Sequence, residues 1–347
     1  MQKNKMSVFL AVLFLVFSLT CFINPSSAQK IELSLSHFYP AVSFQDNKMH
    51  AQWIAEIEKA TNGKVKITVF PGATLLKPAE TYDGIVSGTA DIGNGVYAYT
   101  RGRFPLMEGF ELPGINFGSC AATTMVAVQG VEKFKPKEIS DTKMMYLYSV
   151  GPGSLYSKKE VKNLNDMKGM RIRATGLTAK SIEALGAIPV AMPMNDAYES
   201  LSKGVIDGNI GPPEILITWK QAEVTKFITI IPPVYNSIQY TVMNLGKWNG
   251  LPADIQKAFQ KVNDAFNFKA AQIWDGEMSA GMNYGLGQGM KMIHMPDADN
   301  EKAMALMQPL IDDYISRMEA KGLPGKEVVD FVKEKAAIYS KLFSPGY

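Results

Sequence analysis

The sequence has few of the residues that build metal centres, disulfide frameworks and nucleophilic active sites. Its 347 residues include two cysteines and three histidines, and the spacing of His37, His50 and His294 is not that of metal ligands. The motifs H-E-x-x-H, C-x-x-C and G-x-S-x-G and the Walker loop are also missing. The sequence therefore predicts no catalytic residue, no metal site and no cofactor, and a catalytic triad built from distant residues is the alternative.

An excess of one charge is missing as well. The chain has 36 lysines and arginines against 33 aspartates and glutamates, which gives a formal net charge of +3. A protein this close to neutral lacks the basic surface that binds nucleic acid, so we expect no nucleic-acid partner. Beyond residue 28 the sequence has no apolar run long enough to span a membrane.

The first 28 residues have the three-part layout of a secretory signal peptide. Lys3 and Lys5 precede the apolar run 6–23, and "NPSSAQ" follows it with small residues that predict cleavage after Ala28. The mature protein would begin at Gln29 and be found in the periplasm of a Gram-negative cell. An uncleaved membrane anchor is the alternative interpretation of this segment.

Cleavage would leave 319 residues with a net charge of +1 and a single cysteine, Cys120. The mature protein would then have no internal disulfide and would depend on its hydrophobic core for stability. Attachment as a lipoprotein through Cys21 is a further alternative, although "SLTC" lacks the leucine that usually stands three residues before such a cysteine.

Strand and helix patterns alternate through the first two thirds of the mature chain. Between the first two strands, Met49, Trp53 and Ile57 recur at helical spacing, and a second helix is predicted around 179–185. This alternation predicts an α/β fold of two units, each built on a largely parallel sheet. The predicted strands lie at 31–39, 64–70, 144–150, 170–175 and 188–191.

Two segments of the sequence echo each other. The segments "TYDGIVSGTADIGNG" (81–95) and "AYESLSKGVIDGNIG" (197–211) share tyrosine, glycine and aspartate at positions 116 residues apart. One explanation is that any helix ending in a glycine before a strand has this pattern. The other is that the chain contains two pseudo-equivalent lobes.

The C-terminal third is predicted to be helical. Pro252 opens a helix whose apolar stripe continues to Ile273, and "GLGQG" (285–289) breaks it. This helix is long enough to lie across both lobes. Two further helices are predicted around 301–321 and 325–342.

The stretch "DMKGMRIRATG" (166–176) places Arg171 and Arg173 on the same face of a strand. Ligands of open α/β sheets bind beyond the carboxyl ends of the strands, and Arg173 is nearer to that end. A guanidinium there matches a carboxylate with parallel hydrogen bonds. A solvated pair of surface arginines is the alternative.

Five blocks of sequence, taken in order, resemble the solute-binding proteins of tripartite ATP-independent periplasmic (TRAP) transporters, the DctP-type family. The blocks are "ATNGKVKITVFPGATL", "SGTADIG", "LNDMKGMRIR", "LGAIPVAMPMNDAYESLSKGVIDG" and "LPADIQKAF". The resemblance implies a two-lobed α/β periplasmic binding protein with a mixed sheet in each lobe, hinge strands and a long helix spanning both lobes. It also implies that Arg173, the last residue of the family's K-G-x-[KR]-[ILM]-R motif, binds the carboxylate of an organic acid.

With this fold, we expect lobe 1 to comprise residues 29–149 and 239–278. Lobe 2 would comprise residues 150–238 and 279–347, including the C-terminal helices. The protein is expected to act as a monomer.

Further ligand contacts are predicted at positions that match the family or lie at strand ends. Met194 and Gly211 stand where relatives carry larger or more polar contacts, and a basic residue seen in some relatives would fall near Gly153. The pocket is therefore expected to be roomier and more apolar away from Arg173. Phe38, Tyr97 and Tyr148 are predicted to wall the cleft, with core packing as the alternative, and Ser154 to supply a hydroxyl or backbone donor.

The resemblance implies a receptor and not an enzyme. The protein is expected to capture an organic acid by hinge closure and to deliver it to the small and large membrane subunits of a TRAP permease. One alternative is a secreted enzyme acting on small carboxylates. Another is a receptor of the same fold that serves an ATP-driven importer or a sensor.

Overall fold

The structure, a computed structural model, describes residues 30–343. The predicted signal peptide and its cleavage site therefore lie outside the described residues. The strands form two mixed sheets, which confirms the predicted α/β class. In spatial order, sheet 1 contains β2 (Val65–Phe70), β1 (Ile31–Ser36), β3 (Ile92–Val96), β10 (Ser237–Asn244) and β4 (Thr142–Val150). Sheet 2 contains β11 (Lys291–His294), β9 (Phe227–Ile230), β5 (Ser154–Ser157), β8 (Gly208–Gly211), β6 (Arg171–Arg173) and β7 (Ile188–Val190).

Helices pack around both sheets. They are α1 (Ala51–Ala60), α2 (Thr81–Val86), α3 (Cys120–Phe134), α4 (Gly176–Ala184), α5 (Ala197–Ser202), α6 (Ile215–Thr218), α7 (Leu245–Asn249), α8 (Ala253–Gly287), α9 (Asp297–Glu319) and α10 (Gly325–Leu342). Within residues 30–343, no helix combines the length and the apolar character needed to cross a membrane.

Strand β2 shows how the sequence pattern becomes a sheet face. Val65 and Ile67 are buried, whereas Lys66 and Thr68 between and after them are exposed. Successive side chains of a strand point to opposite faces, so the apolar positions meet the core and the lysine stays in solvent. This is the alternation that the sequence predicts.

Helix α8 spans both lobes, as the family resemblance implies. In lobe 1, Trp53 Nε1 donates to Asn263 Oδ1 at 2.9 Å. Two turns before its end, the helix lies so close to lobe 2 that a Cβ on Gly281 would be 2.3 Å from the carbonyl oxygen of Pro213. The helix ends at Gly287, within the predicted glycine-rich break.

The two echoing segments occupy matching places in the two sheets. Each contributes a short helix and then a strand, α2 and β3 in sheet 1 and α5 and β8 in sheet 2. Asp91 Oδ2 accepts from the backbone N–H of Ser34 on β1 at 2.8 Å, and Asp207 Oδ2 accepts from that of Arg171 on β6 at 2.9 Å. Since β3 lies parallel to β1 and β8 parallel to β6, the two units are pseudo-equivalent.

The last two helices make contacts in both predicted lobes. Lys180 on α4 forms an ion pair with Asp313 on α9 at 2.7 Å, whereas Val328 and Val332 on α10 pack in the same hydrophobic cluster as Val126 on α3. Helix α10 was expected in lobe 2, but its main packing partner α3 belongs to predicted lobe 1. The exact division of the chain between the lobes stays a prediction.

Candidate ligand-binding site

A small cavity lies where the carboxyl ends of strands from both sheets approach each other. Its polar lining residues include Arg173, Glu214 and Gln239. The volume is about 20 Å³, which is room for one water molecule. Aromatic side chains form half of the remaining lining, namely Phe38, Tyr39, Tyr99, Trp219, Tyr235 and Trp274.

Arg173 reaches this cavity from the end of β6. The side chain is only 2% exposed, its Nε–H donates to the Met192 carbonyl at 2.9 Å, and Nη2 donates to the Tyr99 hydroxyl at 3.2 Å. A guanidinium has five N–H donors, so these two bonds leave the others for a ligand. Among the described residues, no aspartate or glutamate forms an ion pair with Arg173. A buried cation without an anion is costly, and an anionic ligand would remove that cost.

Arg171 has a different environment although it lies on the same strand. Its Nε and Nη2 donate to the two oxygens of Asp207 at 3.2 and 3.0 Å, and Nη2 also donates to the Gly204 carbonyl at 2.8 Å. The hydrogen bonds from Arg171 lower the pKa of Asp207 below its usual range. The charge of Arg171 is therefore paired at the surface of lobe 2, away from the cavity lining.

Aromatic rings from both lobes close the cavity. Phe38 follows β1 in lobe 1, and its ring stacks on that of Trp219 in lobe 2 with 6.2 Å between centroids and 14° between planes. The Asn195 side-chain amide, also from lobe 2, donates to the Phe38 carbonyl at 3.0 Å. The lobes are thus in contact across the cleft in this structure.

The structure brings Arg173, Phe38 and Met194 of the predicted set together in the cavity lining. Gly211 and Ser154 are partners across the β5–β8 pair and do not line it. A Cβ on Gly211 would lie 3.2 Å from Ile215 Cδ1 and 3.4 Å from the Met194 methyl carbon, so Ile215 and Met194 fill the space that the glycine leaves.

Tyr97 and Tyr148 are buried behind the cavity and do not line it. The ring of Tyr97 packs against Phe104, with 4.8 Å between centroids, because a 3₁₀ turn at 97–99 follows strand β3 and breaks the strand alternation. That turn brings Tyr99 to the cavity instead. The Tyr148 hydroxyl donates to Gln239 Oε1 at 2.9 Å, so this tyrosine supports a lining residue.

Sequence reasoning missed several polar lining residues. Glu214 is 3% exposed and Gln239 is 4% exposed, and both face the cavity. The expectation of a roomier and more apolar pocket than in relatives stays a prediction. In this closed arrangement large aromatic rings fill the space, and Glu214 and Gln239 add polar atoms to the lining. The only signal in the sequence was the position of Glu214 three residues after Gly211, in the loop beyond β8.

Burial dominates the electrostatics of Glu214. Desolvation raises its pKa to about 8, an effect that hydrogen bonds from Thr218 and Gln45 partly offset and the charge of Glu277 reinforces. The Gln45 amide donates to Glu214 Oε2 at 3.5 Å, and no cation forms an ion pair with this carboxyl among residues 30–343. Within the same range, no cluster of histidine, cysteine and acidic residues is arranged to hold a metal ion.

A two-lobed α/β protein whose cleft closes over an unpaired buried arginine has the design of a solute-binding receptor. The chain belongs to the family of bacterial extracellular solute-binding proteins, family 7 (DctP), which matches residues 35–317. It is a TRAP transporter solute-binding protein of this family.

Similar proteins agree with this assignment. The C4-dicarboxylate-binding periplasmic protein DctP of Rhodobacter capsulatus is 27% identical over 312 residues, which cover 86% of this chain and 90% of the relative. A TRAP periplasmic solute-binding protein of Desulfovibrio salexigens is 32% identical with a TM-score of 0.79, and the match covers 92% of this chain and 98% of the other.

A third similar protein is a TRAP solute-binding protein from an unidentified marine microbe, described as specific for aromatic acid ligands and crystallised with 3-hydroxybenzoate. It is 29% identical with a TM-score of 0.84, and the match covers 90% of this chain and 99% of the other. The family and these neighbours are solute-binding receptors and not enzymes, which confirms that prediction.

Proposed function

We propose that this protein captures an organic acid through Arg173 in the periplasm and delivers it to the membrane subunits of a TRAP permease. The observation that carries the proposal is a buried guanidinium with free N–H donors and no ion-pair partner among the described residues. Family membership supports the delivery step, since the similar structure from Desulfovibrio salexigens is that of a TRAP periplasmic solute-binding protein.

The ligand that the cavity favours is a monocarboxylate with an aromatic or branched hydrocarbon group, such as an aryl 2-oxo or 2-hydroxy acid. One end offers Arg173, and the walls offer the rings of Phe38 and Trp219. A second carboxylate would meet the carboxyl of Glu214, and burying it without a cation costs several kcal/mol. The similar protein specific for aromatic acids supports this ligand class.

Competition calorimetry compares the two ligand classes directly. Phenylpyruvate should displace succinate, since each buried methylene adds about 0.8 kcal/mol and the aryl ring adds several such groups. Tighter binding of succinate would overturn the ligand class while leaving organic-acid capture intact. The dicarboxylate-binding relative makes this comparison necessary.

The arginine clamp is tested by substituting the two arginines of β6 separately. Arg173→Ala should lose about 2–5 kcal/mol of binding free energy for phenylpyruvate, measured by calorimetry. Arg173→Lys should also bind weakly, because an ammonium cannot form the two parallel bonds of a guanidinium. Arg171→Ala is the matched control and should leave affinity unchanged, since Arg171 is paired with Asp207.

The opposite pattern would contradict the clamp. If Arg171→Ala abolished binding and Arg173→Ala retained it, the carboxylate site would lie elsewhere. Delivery is tested separately by uptake of labelled acid in cells that carry both permease subunits, with and without this protein. Uptake that is equal in both would overturn the receptor role.

A further inference from the structure

Gln239 presents an unpaired donor to the cavity. Its side-chain oxygen accepts from the hydroxyls of Tyr39 and Tyr148, and these two bonds fix the amide orientation. Gln239 lines the cavity, and no described residue accepts a hydrogen bond from its amide nitrogen. A buried N–H group without an acceptor is costly, so this donor is available to a ligand atom that can accept.

Glu214 presents the complementary group. It lines the same cavity, is 3% exposed, and receives only a long 3.5 Å bond from Gln45 besides the contact with Thr218. No ion pair joins it to Arg173. Tyr39, Gln239 and Glu214 all line this one cavity of about 20 Å³, which brings Glu214 near the Tyr39–Gln239 pair.

Ligand groups differ in how many hydrogen bonds they can form with Gln239 and Glu214. A hydroxyl satisfies both members, because its oxygen accepts from the Gln239 amide and its hydrogen is donated to Glu214. A methyl or an unsubstituted ring edge leaves both unpaired, and an ammonium gives the amide no acceptor. A carboxylate can accept from the Gln239 amide, but it adds a second buried anion with no further cation to offset its burial.

We propose that Glu214 and Gln239 form a second recognition point, which selects acids that carry a hydroxyl group on the hydrocarbon or aromatic part of the molecule. The inference rests on the proposed function, in which Arg173 holds the carboxylate of the same ligand. The stacked rings of Phe38 and Trp219 supply an apolar wall of the same cavity. The ligand class is therefore hydroxylated aryl monocarboxylic acids.

The test is a calorimetric comparison of phenylacetate, 3-hydroxyphenylacetate, 4-hydroxyphenylacetate and 4-(aminomethyl)phenylacetate. At least one hydroxylated acid should bind roughly 10- to 100-fold more tightly than phenylacetate, the range expected when a buried donor and acceptor gain partners. Equal binding of plain and hydroxylated acids would overturn the inference and leave the proposed function standing. Tightest binding of the aminomethyl acid would overturn it in favour of a cation.

Two variants separate the recognition point from general packing. Glu214→Leu should reduce the ratio of hydroxyphenylacetate to phenylacetate affinity to below about threefold, since no acceptor remains, whatever its effect on phenylacetate alone. Glu214→Gln keeps a carbonyl oxygen at that position and should preserve the preference. The control is Glu111→Gln, at another buried glutamate that does not line the cavity, and it should leave the preference unchanged.

Three outcomes of these measurements contradict different claims. A full hydroxyl preference in Glu214→Leu would overturn the role of Glu214. Loss of the preference in Glu111→Gln would show that it arises from overall packing, and would overturn the inference as well. Failure of all four acids to bind the parent protein would instead overturn the proposed ligand class and remove the basis of the inference.

Discussion

At the scale of single residues, Arg171 and Arg173 show how neighbours of identical chemistry acquire different roles. Both lie on the same face of β6, so strand parity cannot distinguish them. Asp207 neutralises Arg171 at the surface, whereas Arg173 is buried and bonded only to neutral oxygens. The difference lies in what the fold places next to each guanidinium, and it leaves Arg173 as the group that gains most from an anionic ligand.

The buried carboxyl of Glu111 predicts how the stability of the protein depends on pH. Burial raises its pKa from the usual 4.5 to about 8, the charge of Glu108 reinforces the shift, and hydrogen bonds from Ile238 N and Ser237 partly offset it. Between pH 4.5 and 8 the folded protein keeps a proton that the unfolded chain releases, so stability falls as pH rises through this window. The slope approaches 1.4 kcal/mol for each pH unit in the middle of the window.

The Glu111→Gln variant should flatten that slope, because a glutamine stays neutral at every pH. Urea unfolding at pH 5.5 and at pH 8 measures the difference, and the parent protein should lose a few kcal/mol more than the variant over this interval. Glu183→Gln, at an exposed position, is the control and should behave as the parent does. Equal losses in the parent and in Glu111→Gln would show that Glu111 releases its proton without a cost to the fold.

At the scale of helices and strands, local patterns predict most of the elements. Apolar periodicity, with glycine or proline at the ends, predicts strand β2, helix α1 and the three C-terminal helices. The predicted break at 285–289 includes the residue at which α8 ends. Such features depend on neighbours within one or two turns, and a single sequence contains that information.

The walls of the cavity depend on longer-range packing, which a single sequence does not show. Tyr97 was predicted to face the cleft from the end of a strand, but a 3₁₀ turn sends it into the core and brings Tyr99 to the cavity. Gln239 reaches the cavity because β10 lies between β3 and β4, a strand order that joins segments more than 80 residues apart. The position of Arg173 in the cavity was predictable, because the family motif and the position of Arg173 at the end of a strand both placed it at the cleft.

Two glycines of helix α8, Gly281 and Gly276, should respond differently to substitution by alanine. A Cβ on Gly281 would lie 2.3 and 2.4 Å from Pro213 backbone atoms and 2.6 Å from the Glu214 nitrogen, so Gly281→Ala must displace the segment that carries a cavity-lining residue. Overpacking of this kind costs about 1–3 kcal/mol. We therefore expect Gly281→Ala to lower the free energy of unfolding and to weaken ligand binding.

The control for Gly281 stands five residues earlier in the same helix. A Cβ on Gly276 meets no atom within 4 Å, so Gly276→Ala should gain up to about 1 kcal/mol from helix propensity and leave binding unchanged. Chemical denaturation and calorimetry measure both quantities. Similar effects of the two alanines would mean that the close approach of α8 to lobe 2 has no role.

At the scale of the whole molecule, two similar α/β units face each other across the cleft, and each contributes part of the cavity lining that we propose as the ligand site. Phe38, Tyr39 and Tyr99 belong to predicted lobe 1, whereas Arg173 and Trp219 belong to predicted lobe 2. Neither lobe alone encloses the cavity. A ligand that contacts both sides therefore favours the closed arrangement by the difference between its affinities for the closed and open forms.

The small size of the cavity predicts that the protein also adopts an open form. Its volume is about 20 Å³, whereas an apolar cavity that binds benzene has about 150 Å³, so the lobes must part before an aryl acid can enter. The ligand-free protein in solution should therefore include an open form, and ligand contacts from both lobes should close it.

Small-angle X-ray scattering should show a smaller radius of gyration with saturating hydroxyphenylacetate than without it. Arg173→Ala at the same ligand concentration should remain as extended as the ligand-free protein, because it lacks the contact that anchors the acid to lobe 2. The two measurements together separate hinge closure from a general effect of the acid on solution conditions. An unchanged radius in the parent protein, at a concentration where calorimetry shows full occupancy, would mean that the ligand enters by rearrangement of Phe38 and Trp219 and not by movement of the lobes.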